Sequence, residues 1–295
     1  MFQVRGILLI SLLSLISIGI GAQGYNVGIR AGLGQNKFNG PLETGESYGL
    51  AGGFHFGINF QWNFNDLIGL RSEVVYNQTG SAYKLDVADG YYVFVPNDGL
   101  SNIIIRDSSL INMDHSNAYL QLPQTVHFRL NDKFEVFAGG YVGFMVSPVA
   151  TGTQLFGGSR GAQEHSFLQG LNFKYASDDE FTRDGSFLNP RSSLILIRAD
   201  GRDVDVRALE NSFDYNAFNI DDNRFLSIDY GLIFGGSYYF NRGLYLMGRV
   251  EYGVRDITRN SADYSFANVN TDETPIFNND SDKNLGLYLS IGFKF

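Results

Sequence analysis

Apolar and polar or small residues alternate over stretches of about ten residues, and this happens eight times after residue 23. A two-residue period belongs to a strand with one face in an apolar medium, because successive side chains leave a strand on opposite sides. In the second stretch Phe54, Phe56, Ile58, Phe60, Trp62 and Phe64 share one face, while His55, Gly57, Asn59, Gln61 and Asn63 share the other. The first carries Tyr25, Val27, Ile29, Ala31 and Leu33, and the last carries Leu285, Leu287, Leu289, Ile291, Phe293 and Phe295. The remaining five fall at about 68–77, 118–130, 134–146, 226–240 and 244–254. The chain is all-β.

Such a pattern suits either a soluble sandwich or a membrane barrel. The stretches are long enough to cross a bilayer obliquely, which takes about 9–11 residues, and longer than the ~5–6 of ordinary soluble strands. Their number is even. Short turns at Asn65-Asp66, Asn131-Asp132-Lys133 and Asn241-Arg242-Gly243 alternate with long connections at 35–49, 84–116, 149–224 and 257–284. Phe64, Tyr239, Phe240, Phe293 and Phe295 gather at the short-turn end, as an interfacial aromatic girdle would. The expected fold is therefore an eight-stranded antiparallel up-and-down transmembrane β-barrel with long extracellular loops. Ten strands stay open if a hairpin at 194–208 enters the wall.

Residues 1–22 read as a secretory signal peptide: Arg5 precedes the apolar run Ile7–Ile20, and Ala22 offers a small residue for cleavage before Gln23. The run is too short for a spanning helix, which needs about 20 residues. Residues 23–295 then form the barrel, destined for the outer membrane with its loops facing the exterior. The net charge is −9 and there is no cysteine, which excludes a nucleic-acid binder, a disulfide scaffold and a thiolate metal site. The four long connections hold 24 acidic and 13 basic residues, so the acidity belongs to the exterior.

Several motifs resemble the PorT-like outer-membrane β-barrel family of Bacteroidetes-type bacteria. They are Val27-Gly28-Ile29-Arg30-Ala31-Gly32-Leu33, Gly53-Phe54-His55-Phe56-Gly57, the run Leu70 to Gly80, Tyr119-Leu120-Gln121-Leu122-Pro123, Ala138-Gly139-Gly140-Tyr141-Val142-Gly143, Asp229-Tyr230-Gly231-Leu232 and the closing strand. The resemblance covers strands and turns and hardly touches the loops. It implies an eight-stranded barrel whose relatives include accessory proteins of secretion and gliding. Relatives often carry Glu where this chain has Gln121.

The faces that would line the lumen present Arg30, His55, Arg71, Glu73, His127, Arg129, Glu135, Asp229, Arg249, Glu251, Arg255 and Lys294. An eight-stranded barrel is just wide enough to be filled by side chains, and buried charges of both signs must pair. A locked polar plug is expected, with Arg71, Glu73, Arg249 and Glu251 at its centre. A narrow pore is the alternative. An enzyme acting on lipid A or peptides ranks third: His115 and His165 each have an acid and a hydroxyl beside them in sequence, but no recognisable catalytic motif surrounds either. No catalytic residue, cofactor or metal is assigned. The acidic runs Asp178-Asp179-Glu180, Asp221-Asp222 and Asn278-Asn279-Asp280-Ser281-Asp282 lack the spacing of a calcium loop.

Within the loops, Leu194-Ile195-Leu196-Ile197 followed by Asp200-Gly201 reads as a hairpin, and so does 91–105 around Pro96-Asn97-Asp98-Gly99. The apolar run Leu194 to Ile197 is the candidate partner-facing segment. Expected partners are outer-membrane lipid, lipopolysaccharide and an envelope protein. The expected role is a non-enzymatic scaffold or accessory subunit of an envelope or secretion complex.

Overall fold

The computed structural model describes residues 24–94, 103–157, 167–174, 194–199, 201–207, 225–260, 266–270, 275–277 and 279–295. The expected leader, His165 and the acidic runs at 178–180 and 221–222 lie outside these residues. Fourteen strands are described: β1 Tyr25–Asn39, β2 Glu46–Gly49, β3 Ala51–Asn63, β4 Ile68–Phe94, β5 Ile103–Arg129, β6 Phe134–Phe156, β7 Phe167–Lys174, β8 Leu194–Ala199, β9 Arg202–Arg207, β10 Ile228–Tyr239, β11 Leu244–Gly253, β12 Phe266–Val269, β13 Pro275–Phe277 and β14 Lys283–Lys294.

Eight of them close a ring in the order β1, β3, β4, β5, β6, β10, β11, β14. All its pairings are antiparallel. The seam between first and last strands runs from Gly28↔Lys294 to Asn39↔Lys283, and β6 meets β10 from Phe134↔Tyr238 to Phe144↔Ile228. Asn65, Asn131 and Asn241 each cap a short turn at one end, where the Oδ1 accepts two backbone N–H groups at 2.8–2.9 Å.

The outer face of the ring is apolar and uncovered. Phe54, Phe56, Ile58, Leu232, Phe234, Leu287, Leu289 and Ile291 are all exposed. A belt this large has no place in water, where contiguous apolar patches rarely exceed a few hundred Å²; it is the surface a bilayer covers. Phe134, Tyr238 and Phe240 pack in series, tilted and then edge to face, at 5.0 and 5.2 Å near the short-turn end, with Phe293 edge-on to Phe295 at 5.2 Å. Tyr239 departs from the expected girdle. Its position puts it on the inward face, buried, and Tyr238 takes the outward place.

Inside, glycine makes room for rings. A Cβ at Gly292 would collide with the Tyr245 ring, and one at Gly235 with the Phe137 ring. So narrow a lumen holds these aromatics only opposite residues without side chains, which accounts for part of the glycine excess.

The long connections differ from expectation. Residues 84–116 contain wall rather than loop for most of their length, because β4 and β5 are each 27 residues long and stay paired up to Phe94↔Ile103. At about 3.3 Å per residue such a strand spans roughly 90 Å, far more than a bilayer. Tyr91 to Phe94 and Ile103 to Ile105 are the paired upper arms of these strands, and the expected turn at Pro96-Asn97-Asp98-Gly99 lies outside the described residues. β6 runs for 23 residues. It pairs with β10 as far as Phe144 and with β7 from Val149 onward. Between these segments Ala118 pairs with Ser147 and Tyr119 with Met145, leaving Val146 as a bulge. β2, β4, β5, β6 and β7 therefore rise out of the ring as one curved sheet.

Polarity turns over where that sheet leaves the ring. On β4, exposed Val74 and half-buried Tyr76 face out while Arg71, Glu73 and Asn77 face in; higher up, Lys84 and Asp86 face out while Tyr83 and Leu85 are buried. β5 repeats this, with Val126 and Phe128 outward below, and Ile111 and Met113 inward above. On β6 the bulge switches the inward set from Glu135, Phe137 and Tyr141 to Ala150, Gln154 and Phe156. Outside water meets the upper sheet, and its core packs Tyr83, Leu85, Ile111, Met113 and Phe156 around a few buried polar groups such as the bonded pair Gln154 and Ser109.

β8 and β9 pair from Leu194↔Arg207 to Ala199↔Arg202, with Gly201 at φ +73° in the turn, as Asp-Gly demands. Among the described residues this hairpin pairs with no wall strand, so the ten-stranded alternative is set aside.

Trp62 is the chain's only tryptophan and stands on the outer face beside Phe60 and Phe64. In bilayers containing brominated lipid its emission is expected to be quenched strongly. Emission unaffected by bromine would contradict the outward placement.

Candidate functional site

The chemistry-bearing residues converge in the lumen, in tiers. Nearest the short-turn end, Arg71 of β4 reaches across to Glu135 of β6, Nη2 to Oε1 at 2.7 Å. The same Nη2 donates to Gln61 Oε1 at 3.0 Å and Tyr239 OH at 3.3 Å, and the guanidinium carbon lies 5.8 Å from the Tyr245 ring centre. His127 adds its Nδ1 to Glu135 at 2.7 Å and its Nε2 to Thr125 Oγ1 at 2.8 Å.

The next tier holds the expected centre. Glu73 accepts from Arg30 Nη2 at 2.6 Å and Nε at 3.1 Å, and Arg249 Nη1 approaches it at 3.5 Å. Arg249 Nη2 lies 2.7 Å from Glu251 Oε1, close enough for charge pairing although not aligned as a hydrogen bond. His55 Nε2 meets Ser290 Oγ at 2.7 Å, and Ser290 also accepts from Arg30 at 3.4 Å. Asn77 joins this tier to Gln121, Glu251 and Tyr288 at 3.0–3.3 Å.

Higher still, Asp229 Oδ2 accepts from Tyr141 OH and Asn284 Nδ2, each at 2.9 Å. Among the described residues no cation stands within ion-pair range of Asp229. Above it the lumen becomes aromatic. Phe38 lies 5.6 Å from Tyr48, 5.3 Å from His115 and 5.9 Å from Phe225.

Strand parity brought most of the predicted residues together, but partners came from the barrel's stagger. Arg71 pairs with Glu135, 64 positions away, rather than with Glu73 on its own strand. Arg129 belongs to neither cluster and lines the mouth at the short-turn end. Arg255 sits half-buried just past β11, outside both. Tyr141, Tyr239, Tyr245 and Tyr288 were missed as polar partners, since a tyrosine on an inward face reads as bulk until its hydroxyl is placed.

His115 is buried beside Phe38 and Tyr83, whereas Asp114 is exposed on the opposite face, so sequence neighbours form no triad there. Thr125, His127 and Glu135 do align as hydroxyl, imidazole and carboxylate. Glu135 is committed to Arg71 at the same time, and the adjoining void beside His127, Arg129 and Glu135 has no room for even one water molecule. For the apolar run Leu194 to Ile197, the described feature is its backbone hairpin.

The profile of a family described as outer membrane protein beta-barrel domain matches residues 21–259. No curated protein matches the chain in sequence. Similar solved structures include Ail, the attachment invasion locus protein of Yersinia pestis, at 10% identity, covering 92% of this chain and 100% of that one, with a TM-score of 0.34. Neisserial surface protein A matches at 13% identity over 92% and 100%, with a TM-score of 0.30. OprG from Pseudomonas aeruginosa matches at 15% identity over 93% and 98%, also with a TM-score of 0.30.

Glu73 stands between two buried guanidinium groups, so Glu73→Gln strands Arg30 and is expected to cost about 3–5 kcal/mol. Asp229→Asn removes a carboxylate that faces no cation, and the expected cost is about 1 kcal/mol or less. Urea unfolding in detergent, followed by Trp62 emission, measures both. Equal losses would contradict the pairing scheme.

Proposed function

The chain belongs to the outer membrane protein beta-barrel domain family, and on that premise we propose that it works as a non-enzymatic outer-membrane scaffold, presenting its exterior sheet to an envelope partner. One observation carries the reading. The central lumen charges are buried and paired, Arg30 with Glu73 and Arg71 with Glu135 between different wall strands, and the wall continues outward as a sheet with a charged outer face. A side-chain-filled ring offers no passage to solute. On the exterior side, what remains available to other molecules is the raised sheet and the loops beside it.

On that sheet Lys84 pairs with Asp86 at 3.1 Å, and Arg106 approaches Asp89 at 3.9 Å while lying over Tyr91. Exposed pairs of this kind add little stability, which leaves the surface free to exchange partners. The finer reading follows from the motifs: a PorT-like barrel serving as accessory subunit of an envelope or secretion complex, with lipopolysaccharide around the wall. The Leu194 to Ile197 hairpin is the proposed contact segment.

In planar bilayers the pure protein is expected to give no steady conductance. Crosslinking in intact cells is expected to capture a defined surface partner, and a variant lacking 155–220 should lose it while still migrating as a folded barrel. Steady ohmic conductance would favour the pore instead. Unchanged capture by the shortened chain would remove the loop from the interaction.

A further inference from the structure

The opposite mouth of the barrel carries its own surface. A cavity of about 660 Å³ opens between the short turns. Four cations line it: Arg129 at the end of β5, Lys133 in the following turn, Arg242 in the β10–β11 turn and Lys294 at the end of β14. Asp132 is the one acid of the lining. Among the described residues none of the four cations makes an ion pair. Lys294 Nζ instead lies over the Tyr239 ring at 5.1 Å, and Arg129 is near enough for its field to act on Lys294. Glu135, from the tier above, also acts on Lys294 and offsets part of that repulsion, but it is already paired with Arg71, so the mouth as a whole keeps an excess of positive charge.

The cations spread over an arc of the ring from β5 through β6, β10 and β11 to β14. A single phosphate needs donors converging on one point, whereas an arc this wide suits several anionic groups along an extended molecule. The amides of Asn26 and Asn63 add donors and acceptors at the far side, of the kind a polypeptide backbone can use. The volume lies within the 300–1,000 Å³ usual for ligand pockets, enough for a few residues of peptide. Charge asymmetry points the same way: the exterior connections carry 24 acidic residues against 13 basic ones, so the basic mouth contrasts with the rest of the surface.

We infer that this mouth binds an acidic segment of a periplasmic protein, through Arg129, Lys133, Arg242 and Lys294. The inference concerns the face away from the proposed exterior scaffold and stands whether or not that scaffold has a partner. It gives the barrel a recognition surface on each side of the membrane.

The full chain in lipid nanodiscs, with both mouths accessible, would be titrated with a fluorescent hexaglutamate peptide, read by anisotropy. Saturable binding is expected, weakening as salt rises. Lys133 and Arg242 sit in exposed turns, so the double variant Lys133→Glu, Arg242→Glu should fold normally, as its gel migration and Trp62 emission can verify. Its affinity is expected to fall about tenfold or more. Unchanged affinity in that variant would overturn the inference, and so would equal binding of a hexalysine peptide. Inorganic phosphate that displaces the peptide completely at constant ionic strength would make the mouth a small-anion site and overturn the peptide assignment.

Discussion

Within hydrocarbon every backbone N–H and C=O must find its partner inside the chain, since each orphan costs several kcal/mol. That constraint shapes everything else here. The ring closes where β1 meets β14, and the β6–β10 pairing bridges the longest connection between consecutive wall strands. Closure at eight strands leaves a lumen only a few side chains wide. The inward faces are then filled by glycine, by rings and apolar side chains such as Phe137, Ile233 and Met247, and by polar groups that must be bonded within the ring. Arg30 with Glu73, and Arg71 with Glu135, meet that last requirement.

Once strands rise beyond the bilayer the constraint relaxes. Water can satisfy an open edge, and the sheet no longer has to close. β6 leaves β10 at this level and takes β7 instead. The two solvents exchange sides, so the apolar residues of β4 and β5 move from the outer face to the inner one. Tyr83, Leu85, Ile111 and Met113 form a packed interior continuous with the lumen of charged pairs below. One sheet thus serves as membrane wall at one end and soluble domain at the other.

That exchange also decides what could be read from the sequence. Strands such as 54–64 were legible because one parity stayed apolar throughout. On β4 the apolar parity passes from even positions (Leu70, Val74, Tyr76) to odd ones (Tyr83, Leu85), with Gln78, Thr79, Gly80 and Ser81 between. A reader following one face sees the pattern fail there and ends the strand, which is why 84–116 read as a connection. The inward charges were legible for the same reason as the strands. Their pairing was not, because stagger between strands sets which levels meet, and alternation holds no information about stagger. Tyr239 was misplaced by a single position in a run of adjacent aromatics. The Asp-Gly hairpin was legible because its signal is local.

The exchange of faces is the claim on which the rest turns, and the absence of cysteine makes it directly measurable. Single variants Val74→Cys, Tyr76→Cys, Lys84→Cys and Asp86→Cys place a thiol along one outward edge of β4. Intact cells would be treated with a membrane-impermeant maleimide and the extent of labelling compared. Full labelling at 84 and 86 with none at 74 and 76 is expected, because lipid covers the lower pair and water the upper. Equal labelling at all four positions, or labelling confined to the lower pair, would contradict a wall that passes from membrane to water within one strand.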